Sequence, residues 1–287
     1  MAPKTVLITG CSEGGIGDAL AQVFHRKGLR VFATARNLSK IEHLKKMGLE
    51  TLPLDVTDAA SIKAAVESIK SITGGTLDIL VNNSGGGYAM PLLDADLSVA
   101  KQLFDLNVFA VVSVTQAFSP LLIASKGTIL NIGSILGIAP MYWQGYYNAS
   151  KAAIAMLTNQ LRLELAPFDV KVILEITGGV KTKFFDNQPS VTLPESSVYA
   201  PAREVVEKAA SGANVEKTAV DRMIYAEKVV GNVLKKNPQT HHLAGGSAWQ
   251  IWFLGTFFWH TIWDTVLQSY GNIPELKRRV KAAKKQE

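Results

Sequence analysis

The stretch Thr5-Val6-Leu7-Ile8-Thr9-Gly10-Cys11-Ser12-Glu13-Gly14-Gly15-Ile16-Gly17 decides the fold. Its first five residues are β-branched or apolar and read as a short buried strand. Glycines follow, and residues 19–26 then repeat apolar positions at helical spacing. Glycines let a backbone turn tightly and approach a pyrophosphate closely, and the helix start behind them offers unpaired N–H groups and partial positive charge. The order strand, glycine turn, helix therefore marks Gly10, Ser12, Gly15, Ile16 and Gly17 as candidate dinucleotide contacts. The bland alternative is a tight turn that binds nothing. Glu13, an acid inside the loop, must face solvent or pair with a base.

Outward from this unit, β-branched runs at residues 29–34, 49–53, 77–82, 127–132 and 170–175 alternate with longer amphipathic stretches. Parallel strands need crossovers of a dozen or more residues, and right-handed crossovers place helices on both faces. The expected fold is α/β, a doubly wound parallel sheet of Rossmann type in one domain. That domain covers residues 1–243 and includes a mobile substrate loop over about 184–223. Residues 176–214 mix Gly178-Gly179, Pro189, Pro194 and Pro201 with many Ser and Thr, and a helical pattern resumes over 221–235. His241-His242 reads as a polar loop. An aromatic and basic extension fills 244–287.

Composition narrows the function. The chain has 287 residues, 47% hydrophobic and 19% charged, enough for a full core. The single cysteine, Cys11, forms no internal bridge, which points to a reducing cytoplasmic setting. Residues 1–4 lead directly into the first strand, so no signal peptide is expected. Much of the net +6 charge sits in Lys277, Arg278, Arg279, Lys281, Lys284 and Lys285. No basic stripe crosses the body, so a nucleic-acid partner is not expected. The five histidines form no ligand spacing with each other or with Cys11, so no metal is expected.

Where NAD-binding proteins carry an acid for the ribose, about 20 residues beyond the glycines, this chain reads Ala33-Thr34-Ala35-Arg36. A guanidinium pairs with a 2′-phosphate, so Arg36 favours NADP(H); the alternative is a solvated arginine. At the chemical end stand Ser134, Tyr147 thirteen residues later and Lys151 four beyond that. One helical turn puts Tyr147 and Lys151 on one face. An ammonium beside a phenol is expected to pull it below its ordinary pKa of about 10, so that Tyr147 protonates a carbonyl while a nicotinamide delivers hydride.

These motifs resemble the short-chain dehydrogenase/reductase family over about residues 4–185. Asp55-Val56 is similar to its adenine-ring contact, Asn82-Asn83-Ser84-Gly85 to its N-N-A-G strand end, and Gly179-Val180-Lys181-Thr182 to its nicotinamide loop. The resemblance implies a catalytic tetrad of Asn107, Ser134, Tyr147 and Lys151, with Lys151 on the nicotinamide ribose and Asn107 holding a relay water. It adds Asp55, Val56, Asn83, Gly85, Val180 and Thr182 to the cofactor contacts. It also implies a homo-oligomer. Three departures stand out: an extra glycine-loop residue, which leaves open which of Ser12, Glu13 and Gly14 faces the phosphates; Ser84 for alanine; and Thr177-Gly178 for Pro-Gly.

Within the family, residues 176–180 and 197–199 and the aromatic-then-basic C-terminus look similar to the fungal acyldihydroxyacetone-phosphate reductases. That implies reduction of a lipophilic ketone at a cytoplasmic site on the endoplasmic reticulum or lipid-droplet surface. The alternatives are a ketoreductase or dehydrogenase of fungal polyketide or terpenoid pathways, and a non-catalytic nucleotide-binding scaffold. Trp249, Trp252, Trp259 and Trp263 recur at spacings that place them along one side of a helix over 248–263, too short to span a bilayer. Such a segment lies in a membrane interface, or covers the substrate mouth or a subunit contact.

Overall fold

In the computed structural model, which describes residues 2–184, 186, 188, 191–211 and 218–285, the opening stretch forms strand β1 (Thr5–Ile8) and helix α1 (Ile16–Arg26). Then come β2 (Arg30–Ala35), α2 (Glu42–Lys46), β3 (Glu50–Pro53), α3 (Ala59–Thr73) and β4 (Ile79–Asn82). The middle of the chain gives α4 (Leu97–Phe104), α5 (Ala110–Ser125), β5 (Thr128–Ile132), α6 (Gly145–Leu165) and β6 (Lys171–Thr177). The last third holds β7 (Val180–Lys181), α7 (Arg203–Ala210), β8 (Val220–Asp221), α8 (Arg222–Val233), β9 (His241–Ala244), α9 (Ala248–Phe257), α10 (Ile262–Val266) and α11 (Ile273–Ala283).

Seven strands pair in parallel in the order β3-β2-β1-β4-β5-β6-β9, and β7 pairs with β8 apart from them. The order reverses between β1 and β4, and a crevice opens beyond the carboxyl ends of strands at such a point. Helix α1 is held by its apolar face: Ala19, Leu20, Val23 and Phe24 are fully buried against the sheet and against Tyr225, Val229 and Val230 of α8. Burial of each large side chain there contributes roughly 2 kcal/mol. On the other face, Phe118, Leu121 and Leu122 of α5 pack with Leu7, Leu80 and Ile129.

A buried polar ladder ties the sheet to its helices just below the crevice. Asn82 Nδ2 donates to Thr115 Oγ1 at 3.0 Å and Asn131 Oδ1 at 2.8 Å, and Asn131 Nδ2 donates to Thr158 Oγ1 at 3.0 Å. Each partner is satisfied, so the ladder orders β4, β5, α5 and α6 without an orphaned group. The helical run 97–125 is long and apolar enough to cross a membrane, yet much of it is core, with Thr115 in this ladder.

The strands of the first two thirds lie within two residues of their expected places. Later segments differ. His241-His242 belong to β9 rather than a loop, because Glu175, fully buried on the neighbouring strand, takes His242 Nδ1 at 2.7 Å and gives that polar dipeptide a reason to pair. Residues 176–214 are not one structureless loop: they contain the end of β6, then β7 and α7. Pro189 and part of the expected substrate loop over 184–223 lie outside the described residues.

The aromatic stretch is not a single helix. It breaks after Phe257 and restarts at Ile262, so Trp263 is buried with Leu267 and Ala139, while Trp249 and Trp259 are exposed. The four tryptophans therefore do not share one helical side. Helix α11 folds back instead of trailing away. Its Leu276 packs with Leu193, Ala202, Val205 and Val206, and Arg279 pairs with Glu204 and Glu275.

Candidate active site

The glycine turn is locked to the end of β4 by one side chain. Asn83 Nδ2 donates to Thr9 O at 2.8 Å and Gly10 O at 2.9 Å, while the amides of Asn83 and Ser84 donate to Thr9 Oγ1. A Cβ on Gly17 would stand 2.5 Å from both Asn83 Nδ2 and Gly10 O, so only glycine fits. Gly10 and Gly14 both adopt positive φ, which a side chain would oppose. The Asn83 side chain thus shapes the turn rather than reaching into the crevice.

Sequence reasoning did not single out Asp18, and it organises the extra loop residue. Fully buried in the first turn of α1, its carboxylate accepts Gly14 N–H at 2.9 Å and Gln22 Nε2 at 2.7 Å. It also meets His43 Nε2 at 2.9 Å and Arg222 at 3.7 Å. An aspartate directly after the last glycine, in the first turn of the helix, was the available signal. Glu13 is exposed, and its amide donates to Lys40 O. Gly15, as the N-cap of α1, gives no side-chain acceptor to the first-turn amides, which leaves them for an anion.

Other cofactor candidates distribute around the same crevice. Arg36 is exposed just beyond β2. Burial opposes ionisation of Asp55, but hydrogen bonds from Thr57 and the charge of Arg36 hold its carboxyl below the usual range. Val56 is core, packed in the cluster of Leu7 and Leu80. Gly85 is exposed beside Lys151: a Cβ there would lie 3.8 Å from Lys151 Nζ and 3.2 Å from Asn107 Oδ1. Val180 is half-buried against the core, and Thr182 Oγ1 accepts Phe184 N–H at 3.3 Å. Ser12 O accepts Gly15 N–H, and half-buried Ile16 packs behind the turn. Gly14 lies under the Lys183 side chain, 3.0 Å from its Cδ for an added Cβ. This cradle of amides, glycines and flanking cations fits a dinucleotide phosphate.

Tyr147 and Lys151 sit in the first turns of α6, both buried, with Lys151 Nζ 5.8 Å from the phenol ring centroid. Ser134 caps the short 3-10 turn Ile135–Gly137, its Oγ accepting Leu136 N–H at 3.1 Å and bonding the Tyr147 phenol. Gly137 makes that approach possible, since a Cβ there would lie 2.9 Å from Lys151 O. Lys151 Nζ donates to Ile132 O at 3.0 Å.

Asn107 lies in a π-helical turn, Asp105–Phe109, between α4 and α5. Its Oδ1 accepts Gly86 N–H at 2.9 Å, and its Nδ2 donates to Gly86 O at 3.0 Å and Ser150 Oγ at 3.1 Å. The amide is engaged mainly in holding residues 85–86 against α6.

The structure brings all four tetrad candidates together, but the expected electrostatics of the phenol are overturned. Burial pushes Tyr147 up to about 12, with only the Ser134 bond pulling the other way. Burial also pushes Lys151 down to about 8. Helical spacing places the two on one face; it does not show how deeply both lie, and desolvation is the leading cause of both shifts. Near pH 7 Tyr147 therefore keeps its proton. Its ring lies 5.9 Å from that of Phe184, tilted by 56°.

The family profile described as short chain dehydrogenase matches residues 4–191. The chain is similar to the "Short-chain dehydrogenase PC-15" of Penicillium crustosum, 47% identical over 82% of this chain and 86% of the relative. It is also similar to the "Short-chain dehydrogenase srdE" of Neurospora crassa, 42% identical over 99% of each chain. The "NADPH-dependent 1-acyldihydroxyacetone phosphate reductase" of Schizosaccharomyces pombe is 43% identical over 71% of each. Among solved structures, a short-chain dehydrogenase from Streptomyces avermitilis superposes with a TM-score of 0.78 at 25% identity, covering 97% of this chain and 98% of that one. The Pseudomonas aeruginosa RhlG/NADP complex gives 0.60 at 31% identity, covering 66% and 78%. A matching profile over most of the chain and full-length relatives lead to one conclusion: this chain belongs to the short-chain dehydrogenase/reductase family, an oxidoreductase family acting on CH–OH and C=O groups.

Proposed function

We propose that the protein is an NADPH-dependent reductase of a lipophilic ketone, with Tyr147 as proton donor. The observation that carries this reading is the buried, protonated Tyr147 hydroxyl, hydrogen-bonded to Ser134 and flanked by Lys151. Bound NADPH supplies the hydride that the carbonyl carbon receives. Tyr147 holds the proton that the carbonyl oxygen takes up, and Ser134 orients that oxygen by a hydrogen bond. Lys151, fixed by Ile132 O, neutralises the phenolate left behind and faces the nicotinamide ribose beside Gly85. Asn107 positions the 85–86 backbone. Arg36 would hold the 2′-phosphate, and the amides of Ile16 and Gly17 at the start of α1 would hold the pyrophosphate.

NADP(H) is favoured by Arg36, by the NADPH-dependent S. pombe relative and by the NADP-bound RhlG neighbour. The apolar ring of Phe184 next to that of Tyr147 favours a lipophilic substrate. The exposed rings of Trp249, Phe257, Phe258 and Trp259 support peripheral contact with a cytoplasm-facing membrane. Exposed Leu97, Phe109, Met156 and Leu163 support a homo-oligomer.

Incubation with NADPH and either 1-acyldihydroxyacetone phosphate or a set of bicyclic aryl ketones tests the function and ranks the two substrate types. The prediction is ketone-dependent loss of reduced-nicotinamide absorbance. NADPH binding without oxidation by any ketone would instead leave a nucleotide-binding scaffold. Vesicle pelleting before and after replacing Trp249 and Trp259 with serine tests the membrane contact, which fails if partitioning does not change.

A further inference from the structure

Trp143 stands two residues before α6 with φ of +66°, a left-handed backbone that bulky residues rarely adopt. Its carbonyl accepts Met90 N–H at 2.6 Å, which pins the strained residue in place. Its ring meets Tyr199 edge-on at 5.3 Å and Tyr142 at 5.8 Å, against the cluster of Leu193, Val206 and Leu276 that α11 closes. Its indole Nε1 is buried with no hydrogen-bond partner among the described residues. Strained residues cluster at ligand sites, and an unmatched buried donor calls for a partner.

Position supplies the second half of the argument. The segment that starts at Gly85, beside Lys151 Nζ, ends at Met90 on the Trp143 carbonyl. Five residue steps span at most about 18 Å, so Trp143 lies within reach of the far end of a molecule whose carbonyl sits at Tyr147.

We propose that Trp143 is a specificity residue whose indole N–H donates a hydrogen bond to an oxygen acceptor on the substrate, remote from the reacting ketone. The preferred substrate class is then a flat apolar ketone bearing a distal ether, carbonyl or phenolic oxygen that reaches the edge of the Trp143 ring. This rests on the ketone-reductase reading.

The test compares 1-tetralone with its 5-, 6- and 7-methoxy derivatives, by kcat/KM with NADPH and by calorimetric binding to the enzyme saturated with NADP+. In the wild type at least one methoxy ketone should be favoured over 1-tetralone by about tenfold, the worth of one buried hydrogen bond. In Trp143→Phe that ratio should fall to about one, and in Trp143→His, which keeps a ring N–H, it should stay above one. A wild-type ratio of one for every derivative, or a ratio unchanged in Trp143→Phe, overturns the proposal. Preferential binding without turnover would contradict the reductase reading and leave the Trp143 assignment standing.

Discussion

Lys151 Nζ lies 5.8 Å from the centre of the Tyr147 ring and is tied to the Ile132 carbonyl at 3.0 Å, so an ammonium and a phenol are buried side by side. Each resists its charged form there, Tyr147 near 12 and Lys151 near 8. Ordinary values are about 10 and about 10.4. The protein thereby stores a neutral proton donor next to a cation that stabilises the phenolate only once the proton has left.

Stability should record this strain. An unfolded lysine holds its proton up to about pH 10.4, whereas Lys151 releases it near 8. Below pH 8 the buried ammonium opposes folding. Between about 8 and 10.4 the unfolded chain binds more protons, so the lysine's contribution rises with pH. The gap corresponds to about 3 kcal/mol. Lys151→Met, losing one hydrogen bond worth about 1 kcal/mol, should be more stable than wild type by roughly 2 kcal/mol at pH 7. That advantage should vanish by about pH 10.4 in urea titrations. Tyr147 acts oppositely, since the native state keeps a proton that the unfolded chain loses between about 10 and 12.

Arg36→Ala should weaken NADPH binding by about tenfold to a hundredfold, the range of a charge-assisted hydrogen bond, and leave NADH nearly unaffected. Arg36 is exposed, so the fold should not change. Paired fluorescence titrations with the two cofactors check this; equal losses for both would remove the 2′-phosphate assignment.

Asp18→Asn should loosen the glycine turn. An amide cannot accept from Gly14 N–H, Gln22, His43 and Arg222 as a carboxylate does. A loss of roughly 2–4 kcal/mol in stability should accompany weaker binding of NADPH. Denaturant midpoints, with and without NADPH, measure both effects.

Removing residues 272–287 should uncover Leu193, Val205 and Val206, which α11 covers through Leu276. Loss of that one leucine contact corresponds to roughly 2 kcal/mol. Limited proteolysis should then cut faster within residues 193–211. Unchanged cleavage there would mean that α11 does not hold this segment.

Much of this was legible from residue order. The run from Thr5 to Gly17 and the alternation through residue 175 carry the sheet, because parallel strands buried on both faces need β-branched runs. Tyr147 and Lys151 declare themselves by one helical turn. What the chain hides depends on distant partners. Strand β9 is polar and becomes a strand only because Glu175 waits beside His242. Asn131 and Asp18 look like ordinary polar residues until folding brings Thr158 and His43 to them. The aromatic run reads as one helix because side-chain spacing does not reveal the break after Phe257.

The central claim is most directly tested by single-turnover oxidation of bound NADPH by a reducible ketone in wild type and Tyr147→Phe. The account predicts a rate about 10²–10⁴ lower in the variant, with NADPH affinity within about twofold of wild type. A variant that oxidises NADPH at a rate close to wild type would contradict it, because the proton would then come from elsewhere.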